Sequence, residues 1–218
     1  MIEDDFSGLS PINFFQIIHN CYYHPGNSLD KNSSQYLLPS TCALYKQKNF
    51  ADLYVAWNEG GILFHAKVKE PLIESSYPDI TSGDSIEIFI DTRDVKTSGY
   101  NTRFCHHFFF LPEPVSGHSA GEVTKFRAEE SHPYCDPDLL QVKTSKNKQG
   151  YNTDFFIPAE CLFGYDTNQF DKIGFTYRIN RKNDDSQYFS AIDQEFKIEE
   201  QPSLWSSLKL VKNENNTT

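Results

Sequence analysis

The chain has 218 residues, thirty of them acidic and twenty basic, for a formal net charge of −10. That balance argues against non-specific binding to nucleic acid or to anionic membranes, both of which need basic patches. The length suits a single domain, residues 1–218, large enough to fold without a metal or disulfide. Eighteen Phe and twelve Tyr against one Met lean towards β structure. Residues 1–10 read as a loose lead-in, and their acidic start, followed by no long apolar run, predicts neither a secretory signal nor a transmembrane helix. The expected location is therefore cytoplasmic. The five cysteines, Cys21, Cys42, Cys105, Cys135 and Cys161, contain no Cys-x-x-Cys and read as reduced thiols.

Apolar residues over 13–23 predict a strand, and Pro25-Gly26-Asn27 marks a loop over 24–34. An irregular strand broken by Pro39 is expected over 36–45. Leu53, Val55 and Trp57, the turn Asn58-Glu59-Gly60-Gly61, then Ile62, Phe64, Ala66 and Val68 predict a β-hairpin. A polar loop over 70–82 leads into Gly83-Asp84-Ser85-Ile86-Glu87-Ile88-Phe89-Ile90-Asp91. There the three isoleucines share one strand face, with Glu87 and Phe89 on the other. Residues 103–111 predict an aromatic strand closed by Pro112. Residues 112–137 form the longest irregular region, with a short strand expected over 122–129. Strands are then predicted over 141–145, 151–157, 172–180, 187–192 and 206–211, with one helical turn near 159–164 and a loose tail over 212–218. Short strands without a long amphipathic helix point to an all-β fold with little helix, an antiparallel, jelly-roll-like β-sandwich.

Alternation puts Glu87, Arg103, His107, Asn152, Asp154, Arg178 and Asn180 on the non-core face. Antiparallel sheets often have one solvated face, and a network that only pins the sheet is another reading. Planar Arg, Asn, Asp and His mixed with Phe are also what bidentate recognition of vicinal hydroxyls needs.

The run 83–91 resembles the signature strand of the family 9 carbohydrate-binding modules and their DOMON-like relatives. Val55-Ala56-Trp57 with Gly61-Ile62-Leu63-Phe64, Tyr151-Asn152-Thr153-Asp154-Phe155-Phe156-Ile157-Pro158 and Ile173-Gly174-Phe175-Thr176-Tyr177-Arg178-Ile179-Asn180 follow in the family's order. The resemblance covers about residues 50–211 and is strongest to a bacterial branch sharing Arg103-Phe104-Cys105-His106-His107-Phe108 and Gln201-Pro202-Ser203-Leu204-Trp205. It implies a non-catalytic module that binds a sugar or glycan on its concave face. Glu87, Arg103, His107, Asp154, Arg178 and Asn180 would supply hydrogen bonds. The family's two loop tryptophans are replaced here, leaving Tyr77 and Tyr188 as stacking walls. Structural calcium at Asp84, Asp91 and Asp94 is the one cofactor implied, against ordinary turn capping by the same aspartates.

A protein-interaction or structural domain that has lost the sugar site is the alternative. Weaker still is a hydrolase using Glu87 and Asp154 as paired carboxylates. Cys105-His106-His107 suggests a metal, but on a strand His106 points away from the other two, so only two ligands converge.

Overall fold

The computed structural model describes residues 16–29, 33–127, 129–184, 186–190 and 196–212. Among these, eleven strands form one sheet: β1 (Ile18–Tyr23), β2 (Ala51–Asn58), β3 (Gly61–Val68), β4 (Ser85–Asp91), β5 (Cys105–Val115), β6 (His118–Glu122), β7 (Gln141–Lys146), β8 (Tyr151–Pro158), β9 (Lys172–Asn180), β10 (Gln187–Tyr188) and β11 (Ser206–Val211). Their order is β6-β5-β4-β9-β11-β1-β2-β3-β8-β7, with β10 beside β9. The two ends of this path approach each other, giving a barrel-like sandwich that is nearly closed. No helix among the described residues is long and apolar enough to cross a membrane.

The isoleucines of β4 lie in the interior as the alternation requires, with Phe108 and Phe110 of β5 and Phe175 and Ile179 of β9. Opposite them stand Val55, Phe64, Tyr151, Phe155 and Ile157 from the other half. Phe110 meets Phe155 at 4.2 Å between ring centroids, and Phe64 stacks on Phe175 at 6.1 Å. Each large apolar side chain buried this way contributes about 1.5–3 kcal/mol. The hairpin β2–β3 forms at the predicted turn. There Gly61 has φ +145, and a side chain would run into the Ile157 carbonyl of β8.

The sheet is mixed rather than purely antiparallel. β1 runs parallel to both β11 and β2, joining the two halves through a strand distant in sequence from one of them. Residues 36–45 hold single-turn 3-10 segments, Ser34–Tyr36 and Cys42–Tyr45, instead of a strand. β5 continues through Pro112 because its pairing with β4 ends at Phe110 and its register to β6 shifts between Phe110 and Val115. A residue without an N–H there costs no ladder bond. The strand expected over 122–129 lies earlier, as β6. The part of the 187–192 strand beyond residue 190 lies outside the described residues, as do residues 13–15 of the first strand.

Cys135 and Cys161 form a disulfide, with Cα atoms 4.8 Å apart, where reduced thiols were expected. The loop after Tyr134 folds back onto the turn Ala159–Cys161, a juxtaposition that a sequence separation of 26 residues does not reveal. Cys21, Cys42 and Cys105 are free and buried.

The outer face of β4, β5 and β9 is not open. Ile198 and Trp205 fold over it and form a second small core with Phe89, Cys105 and Tyr188. The Trp205 indole N–H donates to the Ile198 carbonyl at 2.8 Å, which fixes the ring over the sheet. Phe89 thus needs no ligand to explain its place among polar neighbours.

Candidate functional site

β4 lies between β5 and β9, and its register sets Glu87 directly opposite Arg178. Facing side chains in an antiparallel pair are only about 5 Å apart, so the guanidinium reaches the carboxylate as a fork. Arg178 Nε donates to Oε1 at 2.7 Å and Nη2 to Oε2 at 2.9 Å. His107 Nε2 lies 2.7 Å from Oε2, and Asn180 Nδ2 donates to Oε1 at 2.5 Å. Each carboxylate oxygen therefore has two partners. Asn180 is itself held by Ser85 and Ser186. His107 stacks on Phe89 at 4.2 Å, and its Nδ1 is buried without a partner.

Glu87 is fully buried, and Arg178, His107 and Asn180 nearly so. Burial alone would raise the Glu87 pKa, but the hydrogen bonds from His107 and Arg178 outweigh it and hold the carboxyl down at about 2. Glu199 lies nearby, half-buried. Burial pushes its pKa up, and its own backbone hydrogen bond together with the charges of Arg178, Lys125 and His107 brings it below the ordinary value.

Of the residues expected on this face, the structure gathers Glu87, His107, Arg178 and Asn180. Arg103 precedes β5 and makes an exposed pair with Glu130. Asp154 belongs to β8, in the other half, where its Oδ1 lies 2.6 Å from His65 Nδ1. It sits with Phe156 on the outer face, as Glu87 does on the opposite outer face. Sheets about 10 Å apart lie between the two carboxylates. A paired-carboxylate hydrolase needs roughly 5–9.5 Å, so that pairing is excluded. Tyr188 is buried in the second core. Tyr77 is half-buried, stacked on His118 at 4.2 Å and near Phe109.

The three candidate calcium ligands do not converge. Asp84 caps the Ile73 and Glu74 amides at one end of β4. Asp91, about 20 Å away along a strand of this length, accepts from the Arg93 and Val95 amides. Asp94 pairs with Lys96 and accepts from Ser207. These are the bonds of turn caps.

Two features were missed from sequence. The first lies on the core-side face of β5. His106 Nδ1 and His132 Nε2 lie 3.0 and 2.8 Å from Glu122 Oε1, and the three donor atoms fall within 4.8 Å of one another. Alternation does turn His106 away from His107, but His132 arrives from the 123–136 loop, whose path no periodicity shows. The second is a cleft of about 330 Å³ whose lining includes Tyr100, Asn101, Lys125, Phe126, Arg127 and Gln201. Tyr100 is 37% exposed, with the Arg127 guanidinium 4.4 Å from its ring centroid. Asn101 Nδ2 donates to the Lys125 and Glu199 carbonyls, tying this cleft to the segment that covers Glu87.

A family model described as "Carbohydrate family 9 binding domain-like" matches residues 33–213. The fold is similar to a family 9 carbohydrate-binding module from Caldicellulosiruptor kristjanssonii solved with cellotriose, at 16% identity and a TM-score of 0.61, covering 93% of this chain and 97% of that one. A structure of a family 9 module from the same organism with glucose gives 17% identity and a TM-score of 0.61, over 94% of this chain and 100% of the other. No protein of curated function matches.

Proposed function

The chain belongs to the carbohydrate family 9 binding domain-like family, and we propose that it is a non-catalytic carbohydrate-binding module. Its ligand would be held beside the buried Glu87 cluster rather than on it. The observation that carries this reading is the Tyr100 cleft, which joins a partly exposed aromatic ring to planar polar groups. The Tyr100 ring, braced by Arg127 and 37% exposed, would stack on a pyranose, worth about 0.5–1.5 kcal/mol beyond area burial for an aromatic contact. Lys125, Arg127 and Gln201 supply donors for ring hydroxyls. In this arrangement Glu87, Arg178, His107 and Asn180 form a fixed floor, and Glu199 links it to the cleft.

The similar modules were solved with cellotriose and glucose, so these are the first ligands to titrate. Calorimetry with wild type should give saturable binding to a gluco-oligosaccharide, and Tyr100→Ala should weaken it at least fivefold. Equal binding by that variant would move the site elsewhere on the surface. A second reading, a protein-interaction domain that keeps the fold without a sugar site, is favoured by the closure of Glu87 within its own network. It gains if no sugar binds wild type.

A further inference from the structure

The His106–Glu122–His132 cluster lies on the opposite face of the sheet from Glu87, and His132 packs at 4.7 Å against Phe126, which lines the Tyr100 cleft. Its members come from β5, from the end of β6 and from the loop beyond it, and their side chains are 0%, 0% and 2% exposed. Among the described residues, the only ionic partners of Glu122 are these two histidines. With both rings neutral, the site is a buried anion without a cation, which is costly.

The hydrogen bonds sharpen that deficit. His132 Nδ1 lies 2.6 Å from the Arg103 carbonyl. A carbonyl cannot donate, so Nδ1 carries the proton. In the neutral ring Nε2 then presents a lone pair to a carboxylate oxygen 2.8 Å away. Two lone pairs at that distance need a positive centre between them, either a proton or a metal ion. Around His106 the Phe163 carbonyl lies near the ring but makes no well-aligned bond, and Nε2 is left buried and unpartnered. His132 thus has the backbone carbonyl behind it that orients a metal-ligating histidine, whereas His106 has no such bond. Thr124 Oγ1 and the Cys135 amide hold the carboxylate in place, at 2.7 and 2.9 Å.

We propose that His106 Nδ1, Glu122 Oε1 and His132 Nε2 bind a divalent transition-metal ion of the zinc class. Two imidazoles and one carboxylate suit zinc or its neighbours and not calcium, which takes oxygen ligands. Metal–donor bonds of about 2.0–2.2 Å place tetrahedral donors about 3.3–3.5 Å apart. The two contacts to Glu122, at 3.0 and 2.8 Å, need to widen by a few tenths of an ångström, and the two histidine nitrogens, up to 4.8 Å apart, need to close by about 1.3–1.5 Å to reach the same separation. The fourth position falls to a water or to the Thr124 hydroxyl. The role is structural: the ion clamps the 123–136 loop to β5.

The test uses the untagged 218-residue chain, stripped with a chelator and titrated with Co²⁺ and Zn²⁺. The expected result is one equivalent of Co²⁺ with the visible absorption of a four-coordinate ion, displaced by Zn²⁺, with a raised Tm. Zn²⁺ should also move the His106 and His132 ring ¹⁵N resonances and leave His118 unmoved. Glu122→Gln and His132→Ala should each weaken binding by more than the roughly 10–100-fold that loss of an outer-shell partner costs. His118→Ala should bind as wild type. Wild type that takes up neither ion saturably, or whose His106 and His132 resonances stay fixed while metal binds, overturns the proposal whether or not the variants fold.

Discussion

His106 and His107 are neighbours in the chain and end in two different carboxylate clusters on opposite faces of one strand. At Glu87 the positive charge is permanent, because a forked arginine on the adjacent strand supplies it. At Glu122 no arginine or lysine is paired with the carboxylate among the described residues, and two imidazoles stand in that place. The Glu87 carboxyl is held down at about 2, because hydrogen bonds from His107 and Arg178 overcome a burial penalty that would raise it. One cluster is therefore complete as built from the chain. The other depends on a cation that can exchange. The first can serve as a rigid floor, and the second as a clamp on a loop.

The Glu87 cluster is most sensitive at Arg178. Arg178→Met should cost about 3–5 kcal/mol in urea unfolding, since it leaves Glu87 charged and buried. The double change with Glu87→Met should recover most of that loss. Nothing equivalent exists at Glu122, where removing one histidine leaves a second.

Acid should strip the same interaction. The folded pKa of Glu87 lies below its ordinary value of 4.5, at about 2. Its contribution is thus fully present above pH 4.5 and lost as pH falls from there towards 2. The shift corresponds to on the order of 3 kcal/mol. A ¹³C carboxyl titration of the folded protein should place the Glu87 midpoint well below 4.5, and a midpoint above 4.5 would mean that the arginine fork does not hold in solution.

On the other face, the backbone amide of Cys135 holds Glu122, and its disulfide holds that stretch of loop to the 159–161 turn. Serine at Cys135 and Cys161 should lower stability by about 2–4 kcal/mol, and should disturb the His106 and His132 resonances more than that of His107. Thiol counting under denaturing conditions should find three groups before reduction and five after. The smallest effect belongs to Arg103. Its pair with Glu130 is exposed on both sides, so Arg103→Ala should change stability by less than about 1 kcal/mol.

The alternation of β4, β5 and β9 was legible because each carries β-branched or aromatic residues at every second position. That pattern alone brought Glu87, His107, Arg178 and Asn180 together. It failed at Asp154, because strand alternation tells which side of its own sheet a residue takes and not which half of the sandwich the strand joins. It failed at Arg103 because the strand begins two residues later. The Glu122 cluster and the Tyr100 cleft depend on where irregular segments cross the sheet, and such segments have no period to read. Trp205 is buried in a core on the face expected to be open, since nothing in the sequence shows residues 196–205 folding back.

We expect sugar to bind beside a closed Glu87 floor. Amide chemical-shift mapping during titration with cellotriose tests it most directly. Saturable shifts are expected at Tyr100, Asn101, Lys125, Phe126 and Gln201, with the Arg178 and His107 side-chain resonances keeping the signature of their bonds to Glu87. A titration that leaves every cleft amide unmoved, or one in which ligand pulls Arg178 and His107 away from Glu87, would contradict it.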